Sequence, residues 1–214
     1  HKNIWGYRTT DGMGYLEFLQ LTEDLGAEPL YVTNIGVSHT TFQPYTSLDE
    51  YVQDALDAIE YANGDTTTKW GALRAKHGHP APFNMKMIEI GNENNWGDNY
   101  ANRYKIFHNA IKAKYPYMTC ISNDYVNIGE DMRDEHYYNS PDWFINNYNK
   151  YDTYSRTSSK VYTGEYAVTS NCGNGNLRAA VGEAVFMCGM EKNSDVVRMN
   201  SYAPVFVAEC GAVQ

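Results

Sequence analysis

Two glutamates stand near the ends of apolar, strand-like segments and could act together on one bond. Glu93 lies in the segment IEIGNEN, residues 88–94, and Glu165 lies in the segment VYTGEYA, residues 161–167. The carboxyl ends of strands are where (β/α) barrels carry their catalytic side chains. Two carboxyl groups facing each other across such a cleft suit the hydrolysis of a glycosidic bond, one as acid and one as nucleophile. A single glutamate at a strand end is more often solvated or salt-bridged, so the inference depends on the pair.

Strand and helix signals alternate along the chain and must position this pair. The predicted strands are residues 28–34, 86–90, 118–122, 132–138, 160–166 and 195–202. The predicted helices are residues 14–25, 47–62, 99–114 and 176–190, with a further helix that opens at Ser140-Pro141. Strands that alternate with helices of this length favour βαβ units and a parallel sheet.

Caps and apolar spacing support these helices. Ser47 and Glu50 match a capping box, which predicts the start of the second helix. Apolar residues recur at helical spacing in the later helices. They are Tyr104, Phe107 and Ile111 in one helix, and Leu177, Val181, Ala184 and Cys188 along one side of another. We therefore expect those sides to face inward, with Cys120 and Cys188 as buried thiols.

The predicted fold is an α/β (β/α)8 TIM barrel that is incomplete, with about six of its eight strands present and the first two missing. The whole chain, residues 1–214, is then one partial catalytic barrel domain. Glu93 and Glu165 are three strands apart in this scheme, so they can face each other across the mouth of the barrel. A doubly wound sheet is the alternative, but it needs a phosphate-binding glycine loop that the sequence does not contain.

Composition excludes several other classes of protein. The formal net charge of −9 argues against a nucleic-acid partner. The sequence has no run of about 18 apolar residues, so no membrane span is predicted. The four cysteines have neither CxxC nor metal-ligand spacing, and His77 and His79 lie in a predicted loop without nearby ligands. We therefore predict neither a metal nor a cofactor.

Six segments, spread in order over nearly the whole chain, resemble one enzyme family. They are DGMGYLEFLQL at 11–21, EDLGA at 23–27, IGNE at 90–93, KVY at 160–162 with GEYAV at 164–168, EKNSDVV at 191–197 and SYAP at 201–204. In these segments the sequence resembles the α-L-arabinofuranosidases of glycoside hydrolase family 51, particularly the plant and gut-bacterial branch. An Asn-Glu pair alone would indicate only the wider group of barrel hydrolases.

The resemblance implies roles for the two glutamates and their neighbours. Glu93 corresponds to the general acid/base and Glu165 to the nucleophile of a retaining mechanism. Asn92 corresponds to an asparagine that hydrogen-bonds the sugar near its 2-hydroxyl. His136 and Tyr138 match a His-x-Tyr motif, in which the tyrosine is expected to hydrogen-bond the nucleophile.

Three further residues are candidate parts of the sugar pocket. Trp5 lies where family members supply an aromatic wall, and Trp96 follows the acid/base and could shape the leaving-group side. Asn34 ends the first predicted strand, where it could line the pocket or serve only as a turn residue. Family members also have an accessory β-sandwich domain and two earlier barrel strands, and we expect this chain to lack both.

The resulting expectation is a retaining α-L-arabinofuranosidase that acts at non-reducing ends and releases arabinose from arabinoxylan- or arabinan-type polysaccharides. Two alternatives stay open: a related barrel glycosidase of different specificity, such as an endoglucanase or xylosidase, and a catalytically incomplete carbohydrate-binding fragment. The expected partner is an arabinose-containing polysaccharide or oligosaccharide, and a homo-oligomer is left open. A secreted or periplasmic location is favoured over a cytoplasmic one.

Overall fold

A computed structural model describes residues 10–37, 43–94 and 98–203 of the chain. Its strands are β1 (Leu30–Thr33), β2 (Met87–Ile90), β3 (Thr119–Ser122), β4 (Met132–Asn139), β5 (Lys160–Val168) and β6 (Val197–Tyr202). Its α-helices are α1 (Tyr15–Asp24), α2 (Asp49–Asn63), α3 (Lys69–Lys76), α4 (Asp98–Lys114), α5 (Pro141–Asn146) and α6 (Leu177–Lys192). Two short 3-10 helices cover Tyr45–Ser47 and Lys150–Thr153.

The strands follow one another in the sheet in the order of the chain, β1-β2-β3-β4-β5-β6. The pairs β1/β2, β3/β4, β4/β5 and β5/β6 are parallel. This order contradicts a doubly wound sheet, in which the strand order reverses at a switch point. It is the order of a (β/α)8 barrel, of which the described residues contain six strands. The six predicted strands and the parallel α/β class are therefore confirmed.

The chain divides into two compact units. The first comprises residues 1–92 and 102–120, and the second comprises residues 93–101 and 121–214. In the first unit Tyr104, Phe107 and Ile111 of α4 are fully buried, as their spacing predicts. The same unit buries Arg74, whose guanidinium donates to the backbone carbonyls of four residues near the ends of α2 and α3. Two of these carbonyls, those of Tyr61 and Gly64, lie at the end of α2, where the last carbonyls have no partner within the helix.

The core of the second unit is an aromatic cluster on Phe186. The Phe186 ring lies within 5.3–6.1 Å, centroid to centroid, of five aromatic rings from α5, β4, β5 and the 3-10 helix. They are Tyr137, Trp143, Phe144, Tyr151 and Tyr166. Helix α5 is capped by Ser140, whose hydroxyl accepts a hydrogen bond from the Trp143 amide, in agreement with the predicted Ser-Pro cap. The cluster holds β4 and β5 in place from their helix-covered side.

The inward face predicted for α6 is wrong. Leu177, Val181 and Cys188 are exposed, whereas Gly182, Phe186 and Gly189 are buried. The reason is close backbone approach: a Cβ on Gly189 would lie 1.8 Å from the carbonyl oxygen of Tyr148. A helix face that contains glycines can pack this closely, and a search for apolar side chains overlooks it.

Three smaller features of the structure were not anticipated by the sequence analysis. The capping box is wrong, because α2 begins after Leu48 with no side-chain cap, while the Ser47 hydroxyl donates to the Pro44 carbonyl. Helix α3 was not predicted; Thr68, which accepts from the Gly71 amide, caps it. Strand β1 is only partly buried; among the described strands it is the first in the sheet order and lies beside β2 alone. Over the described ranges, no helix combines the length and apolar character needed to span a membrane.

Replacing Phe186 by alanine should destabilise the protein strongly, because it opens a cavity at the centre of the aromatic cluster. We expect the free energy of unfolding to fall by about 3–5 kcal/mol, measured by urea denaturation. Met187→Ala on the same helix is the matched control, since Phe186 is 1% exposed and Met187 is 47% exposed. Equal losses in the two variants would contradict the buried face assigned to α6.

Candidate active site

A β-bulge in β5 sets the direction of the Glu165 side chain. Asp134 of β4 is the register partner of Tyr162, and His136 is the partner of Glu165, so two steps along β4 match three along β5. The extra residue lies in the Thr163-Gly164 segment. Because paired residues on parallel strands point to the same side, the bulge brings Glu165 to the side of Asp134 and His136. Glu165 thus lies inside β5, which continues to Val168, and not at the predicted strand end.

Glu93 lies in a tight turn that follows β2. Gly91 has a φ of 84° and Glu93 a φ of 53°, both in the left-handed region. This region costs a residue with a side chain roughly 1–2 kcal/mol, so the turn holds Glu93 in a strained conformation. The next residue is anchored within the second unit, because the Asn94 amide donates to Asn123 Oδ1 at 3.1 Å. Strain of this kind is common where a side chain is held for function.

His136 lies between the two glutamates. Its Nδ1 is 2.9 Å from Glu93 Oε1 and 3.6 Å from Glu165 Oε2. One oxygen of each carboxyl group and a nitrogen of His136 all lie within 4.8 Å of one another. Tyr138 donates its hydroxyl to Glu165 Oε2. The pair is thus close enough for a nucleophile and an acid to act on the same bond, since retaining glycosidases place their carboxyl groups about 5–5.5 Å apart.

The buried carboxylate of Asp134 holds both the His136 ring and the backbone beside Glu165 through hydrogen bonds. Its Oδ2 accepts from His136 Nε2 at 2.7 Å, and its Oδ1 accepts from the Gly164 amide at 2.7 Å. The contact with the main chain is so close that a Cβ on Gly164 would lie 2.3 Å from Asp134 Oδ1. A larger residue at position 164 would have to displace the Asp134 carboxylate from its present contact with the backbone.

Charge keeps His136 protonated. Burial lowers the pKa of the ring, but the hydrogen bond and charge of Asp134, the hydrogen bond with Glu93 and the charge of Glu165 outweigh burial and raise the pKa of His136 to about 9. At neutral pH both ring nitrogens then carry protons and both can donate. For Tyr138, burial and then the hydrogen bond to Glu165 raise the pKa of the hydroxyl, so it stays a donor.

Glu93, His136 and Glu165 are also close enough to hold a cation together. A histidine that is protonated on both nitrogens offers no lone pair to a metal, so the arrangement at neutral pH is suited to hydrogen bonding. The prediction that the site uses no metal stays a prediction.

The cluster opens into a cleft of about 710 Å³ in the second unit. Of the site residues, Glu93, His136 and Tyr138 line this cleft. Its walls also include two cations, Arg133 and Lys150, and three further phenol rings, those of Tyr125, Tyr137 and Tyr154. Aromatic and hydrogen-bonding groups of this kind suit the apolar faces and hydroxyls of a sugar.

The structure brings together four of the predicted site residues: Glu93, His136, Tyr138 and Glu165. Asn34 and Asn92 belong to the first unit. Asn34 Oδ1 accepts from the amides of Gly36 and Val37, which is the turn alternative, while Asn92 is exposed. Trp5 and Trp96 lie outside the described residues, and the binding roles of all four stay predictions.

Asp134 and Gly164 are the important residues that the sequence reasoning missed. A signal for Asp134 was available, because residues 134, 136 and 138 alternate along β4 and must share one face. A signal for Gly164 was available too, since a glycine inside a strand indicates a bulge or a close backbone approach.

Two family models match the chain. One, described as Alpha-L-arabinofuranosidase 1 domain, matches residues 1–156, and the other, Alpha-L-arabinofuranosidase C-terminal domain, matches residues 164–209. An extracellular exo-α-L-arabinofuranosidase of Streptomyces chartreusis is 41% identical over 227 residues, which cover 97% of this chain and 27% of the relative. α-L-Arabinofuranosidase 1 of Arabidopsis thaliana is 43% identical over 211 residues, covering 96% and 31%.

A solved structure agrees with these sequence matches. The arabinose-bound α-L-arabinofuranosidase MgGH51 superposes with a TM-score of 0.87 at 36% identity, covering 95% of this chain and 36% of the other. The chain thus spans between 27% and 36% of the length of these three proteins. Because the first model alone covers most of the chain and the relatives cover nearly all of it, the chain belongs to the α-L-arabinofuranosidases of glycoside hydrolase family 51.

Proposed function

We propose that this chain carries the catalytic centre of a retaining α-L-arabinofuranosidase, which releases L-arabinofuranose from the non-reducing ends of arabinoxylan- or arabinan-type chains. The observation that carries the proposal is the approach of one oxygen of Glu93 and one of Glu165 to within 4.8 Å. An inverting enzyme needs a wider gap, about 6.5–9.5 Å, to seat a water between its carboxyl groups.

In the first step Glu165 attacks the anomeric carbon and forms a glycosyl ester, while Glu93 protonates the departing oxygen. The hydrogen bond from Tyr138 and the approach of His136 both involve Glu165 Oε2. This leaves Oε1 as the attacking oxygen. His136 Nδ1 likewise contacts Glu93 Oε1, so Oε2 is the oxygen that carries the acid proton. The glycosidic bond breaks as the ester bond forms.

In the second step Glu93, now ionised, takes a proton from a water that attacks the anomeric carbon. The ester bond to Glu165 breaks, the carboxylate is regenerated, and the sugar leaves with its configuration retained. His136 stays a donor to Glu93 in both steps, because its hydrogen bond is compatible with the neutral and the ionised carboxyl group. Tyr138 stays a donor to Glu165 for the same reason.

Three of the remaining candidate residues would bind the sugar. The sugar-binding roles that the family resemblance implies for Asn92, Trp5 and Trp96 belong to this proposal, whereas the contacts of Asn34 with the Gly36 and Val37 amides favour its turn alternative. The names of the relatives support arabinofuranosides as substrates, and the name of the Streptomyces chartreusis relative supports a secreted or periplasmic enzyme. We further propose that residues 1–214 act as one partial barrel domain, with the accessory β-sandwich outside them.

Replacing Glu165 by alanine should remove the nucleophile and lower kcat by about a thousandfold or more. The assay uses an aryl α-L-arabinofuranoside, with the chain alone and with any flanking sequence that its gene encodes. Glu191→Ala, which removes an exposed carboxylate on α6, is the matched control. Substantial residual turnover by the Glu165 variant would contradict the nucleophile assignment.

The same assay on the unmodified protein distinguishes the alternative functions. Turnover of aryl xylosides or glucosides in preference to the arabinofuranoside would favour the alternative specificity. Sugar binding without turnover would favour a binding fragment.

Replacing Glu93 by alanine should affect substrates unequally, because only poor leaving groups need the acid. We expect turnover of arabinan to fall by about 10²–10⁴-fold, and turnover of an activated aryl arabinofuranoside to fall much less. Added azide should restore release and give the arabinosyl azide with retained configuration, whereas azide added to the Glu165 variant should give the inverted azide. Proton NMR of the products distinguishes the two anomers, and equal losses on both substrates would contradict the acid/base role.

A further inference from the structure

Asp134 is buried among the residues that hold the two glutamates, and its side chain offers almost no surface to a sugar. Its side chain is 1% exposed. A buried carboxylate is costly unless it is paired and hydrogen-bonded, and here its two oxygens go to two different parts of the site. Oδ2 contacts the His136 ring, and Oδ1 contacts the amide of Gly164, the residue before Glu165.

We propose that Asp134 is a positioning residue for both glutamates: it fixes the ring of His136 against Glu93 and fixes the bulged backbone that presents Glu165. The proposal rests on the proposed function for the roles of Glu93 and Glu165, while its contacts are independent of that function. It predicts that a substitution at Asp134 disturbs the positions of both glutamates together.

The hydrogen-bond directions show how Asp134 would act on Glu93. An ionised carboxylate can only accept, so Asp134 requires a proton on His136 Nε2. When Nδ1 also carries a proton, it donates to Glu93 Oε1, and the acid proton of Glu93 must sit on Oε2. If Nδ1 lost its proton, it would become an acceptor. Glu93 would then donate from Oε1 to the ring, and the proton would be withdrawn from the leaving group.

The charges around His136 favour the first of these states. The titratable groups that face the ring are Asp134 from β4, Glu93 from the turn after β2 and Glu165 from β5, with Tyr138 donating to Glu165. Burial alone lowers the pKa of His136, and Asp134 contributes both a hydrogen bond and a charge to the opposing effect that raises it to about 9. Activity that needs this proton should be present at neutral pH and be lost as the pH rises through about 9.

The substitution Asp134→Asn keeps the shape and reverses one hydrogen bond. The Gly164 amide still needs an acceptor, so the amide oxygen of the asparagine faces Gly164 and its NH2 group faces His136 Nε2. Nε2 must then accept, which leaves a neutral ring whose proton is on Nδ1 and still donates to Glu93 Oε1, while the positive charge beside the two glutamates is lost. We expect the pKa of His136 to fall by at least about one pH unit, since one unit corresponds to the loss of a single charged hydrogen bond. We expect kcat to fall by about 10- to 100-fold, a typical cost of small misplacement in a catalytic site.

The experiment combines NMR titration of histidine-labelled protein with the pH profile of kcat/KM on an aryl arabinofuranoside. Glu130→Gln is the matched control, because Glu130 is also a buried carboxylate and pairs with Arg133. The proposal predicts a His136 midpoint near 9 in the unmodified protein and in the control, and a lower midpoint in Asp134→Asn. Because the neutral ring of that variant keeps its proton on Nδ1, the loss of activity through about pH 9 should be present in the unmodified protein and the control and absent from Asp134→Asn. An unchanged midpoint, or a kcat and pH profile equal to those of the control, would overturn the proposal.

Gly164→Ala gives a second approach if Asp134→Asn does not fold. The added Cβ would lie 2.3 Å from Asp134 Oδ1 and must push the carboxylate away while leaving its charge in the protein. We expect a lower His136 midpoint and a lower kcat, whereas Gly182→Ala, a tight glycine contact on α6, should leave the midpoint unchanged. Equal midpoints in the two glycine variants would count against Asp134 as the positioning residue. If the unmodified protein turns over no glycoside, the proposed function fails, and the titration alone then decides whether Asp134 controls His136.

Discussion

A nearly fully buried carboxylate has to find partners for both of its oxygens, and the partners available to Asp134 determine the geometry of the site. One is the His136 ring and the other is the Gly164 amide. The second contact is possible only because residue 164 has no Cβ and because β5 is bulged there, which frees an amide from the regular ladder. The same bulge turns Glu165 toward His136. The packing of the buried Asp134 carboxylate and the direction of the Glu165 side chain thus both depend on the bulge in β5.

Three carboxyl groups gathered around one imidazole would repel one another if all were ionised and the ring were neutral. The raised pKa of His136 shows how this repulsion is relieved, because the ring keeps a positive charge between them at neutral pH.

The strands that carry these side chains are supported on their other face by apolar packing. Phe186 and its aromatic neighbours pack behind β4 and β5, so the two strands that carry His136, Tyr138 and Glu165 have a rigid base. Rigid strands are better supports for a precise cluster than loops are.

The sequence was sufficient to predict the parts of this structure that repeat. All six strands, the parallel class and the pairing of Glu93 with Glu165 follow from alternation and from residue type near strand ends. The parts that depend on local irregularity were not predicted. No periodicity reveals that Glu93 adopts a left-handed φ or that β5 contains an extra residue, since both are set by contacts with neighbouring strands and loops. The buried face of α6 was missed for a related reason, because its closest contacts are made by glycines, which carry no hydrophobic signal.

The two glutamates differ in how firmly they are held, and the difference fits the roles proposed for them. Glu165 has both Tyr138 and His136 at Oε2, and its side chain is 32% exposed. A nucleophile must keep its charge and its aim until the moment of attack, which a fixed oxygen provides. Glu93 contacts His136 through Oε1, and its side chain is 43% exposed. An acid/base must change protonation state twice in each turnover and exchange a proton with water, so greater exposure is suited to its role. His136 is the element common to both, because a ring that donates in every state of Glu93 can remain still while the proton moves.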